Sequence, residues 1–153
     1  MSVDPDRPYT ESLIIMTAVR MVAPFVLTYG LFITFHGADS PGGGFQGGAL
    51  VGVVVLMLAF AFGARPTREW IGNDVITGLA AGGVVVFVGV GLVAIGLGGA
   101  FLEYGRLEPL LGPDAVKWGM EAIEIGGVAA IVASVIMGLF FLTAAGFDRG
   151  DGS

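Results

Sequence analysis

The chain has 153 residues, 55% of them hydrophobic and only 13% charged, against about 25% charged in an ordinary soluble domain. Mean hydropathy is +0.87, and seven basic and thirteen acidic residues give a formal net charge of −6 at pH 7. This balance reads as a membrane protein with no room for a soluble domain beside its apolar segments, and the lack of cysteine excludes disulfides and thiolate metal sites.

Residues 1–10 read as an N-terminal tail. They carry Asp4, Asp6 and Arg7 but no basic segment leading into a short apolar core, so no cleaved signal peptide is expected. Residues 11–146 read as one all-α integral membrane domain, followed by a C-terminal tail over 147–153. Four segments are long enough to cross a hydrocarbon core, which takes about 20 helical residues: Glu11 to Phe35, Phe45 to Gly63, Val75 to Gly98 and Trp118 to Ala145. A β-barrel is the weaker reading, because the segments lack period-two alternation and a barrel needs about eight strands or more. Four spans place both termini on one side, with Arg7, Arg65, Arg68 and Arg149; Arg106 and Lys117 fall on the other. The positive-inside rule then puts the termini in the cytoplasm of a plasma-membrane protein.

Within the first span, Arg20 lies among apolar residues with Pro24 one turn later. An arginine at that depth either snorkels to the interface or pairs with an acid of this chain or a neighbour. Pro24 frees a backbone carbonyl and is expected to kink the helix. His36, the only histidine, ends the span; histidine titrates near neutral pH, which makes it a candidate for proton transfer, with Asp39 as a candidate partner. The next eight residues of note, Pro41, Gly42, Gly43, Gly44, Phe45, Gln46, Gly47 and Gly48, form a glycine-rich loop between the first two helices. Glycine is costly to order, so the string is expected to permit close backbone approach at the start of the second helix. It lacks the lysine and spacing of a nucleotide-binding P-loop and the context of a dinucleotide fingerprint.

Small residues recur every four positions in three stripes: Gly44, Gly48 and Gly52; Gly78 and Gly82; Gly126, Ala130, Ser134 and Gly138. Such stripes let membrane helices pack closely, either within this chain or against another subunit. The third loop, with Glu103, Tyr104, Arg106, Glu108, Pro109 and Pro113, reads as interfacial or as a docking surface. Glu121 and Glu124, three residues apart, share one helix face at the start of the last span. Two ionised carboxylates this close repel, which favours proton uptake or binding of a hard cation. Glu124 lies deeper and is the preferred functional acid.

The string PGGGFQGG, with Leu110-Leu111-Gly112 ahead of the last span and Ile123-Glu124-Ile125-Gly126 at its start, resembles the MnhB family, the B subunits of Mrp-type multisubunit sodium/proton antiporters. The resemblance runs from about Thr17 to Thr143. Two departures stand out: HGADS precedes the proline where relatives often have a Gly-His-Asn-type string, and Glu124 stands where some carry aspartate. The resemblance implies a small four-helix subunit of a cation/proton antiporter, with other antiporter subunits and the lipid bilayer as partners, Na+ and H+ as the ions, and neither a cofactor nor nucleic acid. Related chains occur in membrane-bound hydrogenase-type redox complexes, which implies a structural subunit as the alternative. As a transport subunit it would use Glu124, Glu121, Arg20 and His36 along the ion path, whereas as a structural subunit its glycine stripes would matter more. An enzyme is the least favoured reading, since no nucleophile, base and orienting group come together.

Overall fold

The computed structural model describes residues 12–37 and 43–147. Asp39, Pro41 and Gly42 lie outside the described residues, as do Arg7, Arg149 and nearly all of both expected tails. Among the described residues, seven α-helices follow in order: α1 (Leu13–Phe35), α2 (Gly43–Phe62), α3 (Ala64–Ile71), α4 (Asn73–Gly96), α5 (Glu108–Leu111), α6 (Ala115–Glu121) and α7 (Ala130–Phe147). A 3-10 turn, Tyr104–Leu107, precedes α5, and a π-helical segment, Ala122–Ala129, joins α6 to α7 without a break. Four helical stretches have the length and hydropathy of membrane spans: α1, α2, α4 and the continuous helix Ala115–Ala145. All four expected spans are present, with only small shifts at their ends.

One boundary shift carries meaning. The second helix begins at Gly43, so Gly43 to Gly48 form its first turns instead of a loop. The missing side chains are used for contact between helices. A Cβ on Gly47 would lie 2.8 Å from the Gly30 carbonyl oxygen, and one on Gly30 would lie 2.9 Å from Leu50 Cβ, so α1 and α2 cross with their backbones nearly touching. On its other side α2 meets the last span. A Cβ on Gly44 would fall 2.9 Å from Glu124 Cα, one on Gly48 2.8 Å from Ala129 Cα, and one on Gly52 2.9 Å from Ile136 Cγ2. The stripe Gly44, Gly48, Gly52 therefore packs this chain against itself.

The third stripe does the same work against α4. Gly126 faces Val86, Ser134 is buried and donates its hydroxyl to the Ile131 carbonyl at 2.8 Å, and Gly138 faces Ile76. Gly83 meets Gly127 and Ile131 at the same crossing. The last span thus lies between α2 and α4, with α1 outside α2, and burial agrees: of the most apolar 18 residues of each span, 33% are buried in α2 and in the last span, against 11% in α1 and 17% in α4. A cluster of Ala59, Ile76, Ala133, Met137 and Phe141 fills the space between them. Gly78 and Gly82 have nothing within 4 Å and point outward.

Between α2 and α4 the chain makes a short amphipathic helix, α3, bounded by Gly63 and Gly72 at φ 102° and 74°, values a side-chain-bearing residue rarely adopts. Thr67 bonds back to the Gly63 carbonyl at 2.8 Å, Arg68 reaches Asn73 at 3.2 Å, and Trp70 is exposed, as expected of an aromatic at a membrane interface. At the opposite end the third loop is partly helical. Its turn is held by Glu103, which accepts from the Ala100 N–H at 2.7 Å and pairs with Arg106 at 3.2 Å. The Ala100 N–H, and secondarily Arg106, hold the Glu103 carboxyl below its usual range. A depressed carboxyl contributes stability above its ordinary value and loses it as pH falls through its folded value.

Two outcomes follow from this packing. Gly48→Leu, which drives a side chain into the Ala129 backbone, is expected to destabilise the detergent-solubilised chain by at least ~1–3 kcal/mol, whereas Gly78→Ala leaves it unchanged or slightly more stable; thermal unfolding followed by circular dichroism measures both. Hydrogen-exchange protection factors at residues 100–107, observed rates corrected for the intrinsic rate at each pH, should fall in Glu103→Gln and, in the unsubstituted protein, on acidification below the ordinary carboxylate range.

Candidate functional site

Glu124 is carried by the π-helical segment, a form that in proteins often marks a functional position. Its side chain points at the junction of α1 and α2. A Cβ on Gly37, just past the end of α1, would overlap the carboxyl group, and one on Gly43, the first residue of α2, would lie 2.5 Å from Oε2 and 2.7 Å from Cδ. The two glycines are themselves in close contact, a Cβ on Gly37 falling 2.7 Å from Gly43 Cα. Together they form a notch that only hydrogen atoms in place of side chains leave open. Gly44 meanwhile rests on the Glu124 backbone.

Oε2 is fully buried in this notch and has no hydrogen-bond partner among the described residues, the sole buried side-chain oxygen or nitrogen there in that position. Buried polar groups are almost always partnered, so this one stands out. It lies beside the first turn of α2, whose leading N–H groups have no intrahelical acceptor and form the positive end of the helix dipole. Glu121 is half-buried three residues earlier on the same helix, and the glycine string meets Glu124 through Gly43 and Gly44.

The other expected residues are placed differently. Arg20 is exposed on α1, its guanidinium 5.2 Å from the centroid of the Phe62 ring at the far end of α2. Seventeen residues separate it from Gly37, about 25 Å along a helix. It is directed to the α3 end of the protein. His36 is exposed, stacked on Phe32 at 4.2 Å with Nδ1 3.1 Å from the Phe32 carbonyl oxygen, and its chain neighbour Gly37 makes the contact with Glu124. Gln46 lies on the first turns of α2 and Phe45 is exposed. No cluster of three or more His, Cys, Asp or Glu residues forms a metal site among the described residues.

One contributor was not legible beforehand: Gly37 is isolated in sequence from the glycine string, and only the return of α2 beside α1 gives it a role. Tyr104, in the third loop, lies against Gly119 of α6.

Comparison with known proteins covers the same stretch of chain as this helical domain. A family profile described as "Domain related to MnhB subunit of Na+/H+ antiporter" matches residues 14–138. The chain is 28% identical over 131 residues to the B subunit of the Na(+)/H(+) antiporter of Bacillus subtilis, covering 84% of this chain and 90% of that protein. It is 27% identical over 136 residues to the protein of the same name from Alkalihalophilus pseudofirmus, covering 82% and 93%. A solved chain of the membrane-bound sulfane sulfur reductase, an archaeal respiratory membrane complex, aligns with a TM-score of 0.47 and 26% identity over 88% of this chain and 63% of that one.

The notch makes a specific double-variant outcome. Gly43→Ala should cost roughly 1–3 kcal/mol of stability, and adding Glu124→Ala should recover part of it; recovery is incomplete because a Cβ at position 43 also lies 2.5 Å from Gly37 Cα. Thermal unfolding of the two single variants and the double variant gives the coupling.

Proposed function

The chain belongs to the MnhB family, and from that premise we propose that it is a small membrane subunit of a multisubunit Na+/H+ antiporter in which Glu124 alternately holds a proton and a sodium ion. The observation that carries this reading is the buried, unpartnered Oε2 in the Gly37 and Gly43 notch. An acidic side chain within a span costs on the order of 2.5–3.5 kcal/mol on insertion scales. A proton or a bound cation removes that cost, and one carboxylate that takes either but not both is the minimal chemistry of exchange. The positive end of α2 offsets part of the penalty when neither ion is bound, so the site can be emptied as well as filled. Oxygen donors suit a hard cation such as Na+.

Glu121 supplies a second carboxylate on the same face, toward the end of the span, where it concentrates cations for Glu124. Arg20 and His36 then serve the interface and the α1 terminus and stand apart from the carboxylate itself. The stripe of Gly78 and Gly82 is open for a neighbouring subunit. Orientation follows from fixed charge: Arg65 and Arg68 on α3 face the cytoplasm, and Arg106 and Lys117 the outside.

Glu124→Gln is expected to lower Na+-dependent proton exchange in membrane vesicles at least about tenfold, ~1.4 kcal/mol in the barrier, with the complex intact on native gels; Gly44→Leu is expected to prevent assembly. Undiminished exchange in Glu124→Gln would overturn the role given to this residue, and recovery of redox subunits with the tagged chain would move it to a redox-driven complex. Because the chain has no cysteine, Arg65→Cys should react with an impermeant maleimide in inside-out vesicles and Arg106→Cys in right-side-out ones; the reverse pattern overturns the orientation.

A further inference from the structure

We propose that the notch formed by Gly37 and Gly43 is a proton-selective position: it houses the Glu124 carboxyl only in its neutral, protonated form, and a cation reaches the carboxylate only after the side chain has left the notch. The inference rests on the reading of Glu124 as the ion-carrying carboxylate and deepens it, by giving the two glycines the choice between the ions.

The first constraint is room. A Cβ on Gly37 would overlap the carboxyl group, and one on Gly43 would lie 2.5 Å from Oε2 and 2.7 Å from Cδ. The two backbones also touch each other, a Cβ on Gly43 falling 2.5 Å from Gly37 Cα, which closes the notch. A methyl group therefore does not fit between Glu124 and either backbone. A hard cation gathers several oxygen ligands around itself and needs more space than a methyl group, whereas a proton on the carboxyl needs none. The second constraint is polarity. Oε2 is fully buried without a hydrogen-bond partner, and the glycine Cα–H groups that meet it are apolar. Such walls suit a neutral acid and oppose an ionised one. No N–H of the first turn of α2 bonds to Oε2, so that helix end lends a diffuse positive field and no bond, and the same field repels a cation.

The helix that carries Glu124 does not yield to make room. Gly44 rests on the Glu124 backbone and Gly48 on that of Ala129, and from the other side a Cβ on Gly83 would lie 2.8 Å from the Gly127 carbonyl oxygen. These contacts hold the π-helical segment over most of its length, so the carboxyl leaves the notch by rotation about its own side-chain bonds. On leaving, its O–H bond breaks, the proton passes to water, and the carboxylate takes up Na+; one positive charge replaces another. Reprotonation releases Na+ and returns the neutral carboxyl to the notch. Among the described residues, the titratable groups beside this exchange are Glu121, three residues earlier on α6, and His36 at the end of α1, whose Nδ1 lies 3.1 Å from the Phe32 carbonyl oxygen. α2 carries no titratable side chain, and α4 meets the segment with Val86 and Phe87.

The test is Na+-dependent proton exchange in vesicles containing the complete antiporter, with the KM for Na+ measured across pH. In Gly37→Ala the neutral carboxyl loses its place, so protons compete less well with Na+. The KM for Na+ should fall about tenfold at acidic pH and stay unchanged at alkaline pH, and the acid limb of the profile should move about one unit lower. A KM for Na+ that is unchanged at acidic pH leaves Gly37 a packing role alone, and one raised at every pH puts the cation in the notch; either overturns the inference. Infrared difference spectra of the unsubstituted complex decide it even where Gly37→Ala fails to assemble. Added Na+ should remove the C=O stretch of a carboxylic acid free of hydrogen bonds, a band that Glu124→Gln lacks; a band indifferent to Na+, or one at the frequency of a hydrogen-bonded acid, overturns the notch. Glu124→Gln in the same vesicles separates the two readings: an inactive Glu124→Gln beside a raised KM in Gly37→Ala removes the role of the notch alone, and an active Glu124→Gln removes both.

Discussion

Everything in this fold depends on how closely α2 approaches the helix formed by α6, the π segment and α7. Inside a bilayer, burying apolar side chains between helices gains nothing over leaving them in lipid, so association rests on contact area and close approach of backbones. Gly44, Gly48 and Gly52 permit that approach over three turns, each set against the backbone or β-branched surface of the last span. On the opposite face Gly47 and Gly30 do the same for α1. α2 is a thin wall between two neighbours, and the glycines that make it thin also determine where Glu124 must lie.

That constraint links packing to chemistry. Once Gly44 rests on the Glu124 backbone, the carboxyl group has one direction in which to extend, toward the gap between the end of α1 and the start of α2. Side chains at positions 37 and 43 would fill the gap, and glycine at both leaves it open. The π-helical path of residues 122–129 belongs to the same arrangement, since it occupies the stretch where the last span meets Gly44 and Gly48 on one side and Gly83 on the other. A carboxylate oxygen without a donor is a costly object in such a place. An ion that comes and goes is the simplest reason for a membrane protein to keep one.

The charged groups divide by end. Arg20, Arg65 and Arg68 gather near α3, where Phe62 and Phe141 give two of the guanidinium groups aromatic faces. Glu103, Arg106, Lys117 and Glu121 gather at the third loop, together with Tyr104. Glu124 is the acid set deepest from that second end, and the third-loop turn is held in a defined conformation right beside its helix. The loop is thereby packed on the last span as well as connecting two spans.

The sequence by itself determined the class of protein, the four spans and the family resemblance, because hydropathy, span length and motif residues are all local properties. It also marked the glycine string as a place of close approach. What it could not determine was the object approached. PGGGFQGG reads as a loop by composition, since glycine disfavours helix by roughly 1 kcal/mol per residue relative to alanine, yet Gly43 to Gly48 are helical because contact with α1 and the last span outweighs that local preference. Only the tertiary structure brought Gly37 and Gly43 together with Glu124, some eighty residues away in the chain, since their meeting is set by how three helices cross. The same crossings separated Arg20 from the carboxylate, and left Gly78 and Gly82 facing outward while the other two stripes turned inward.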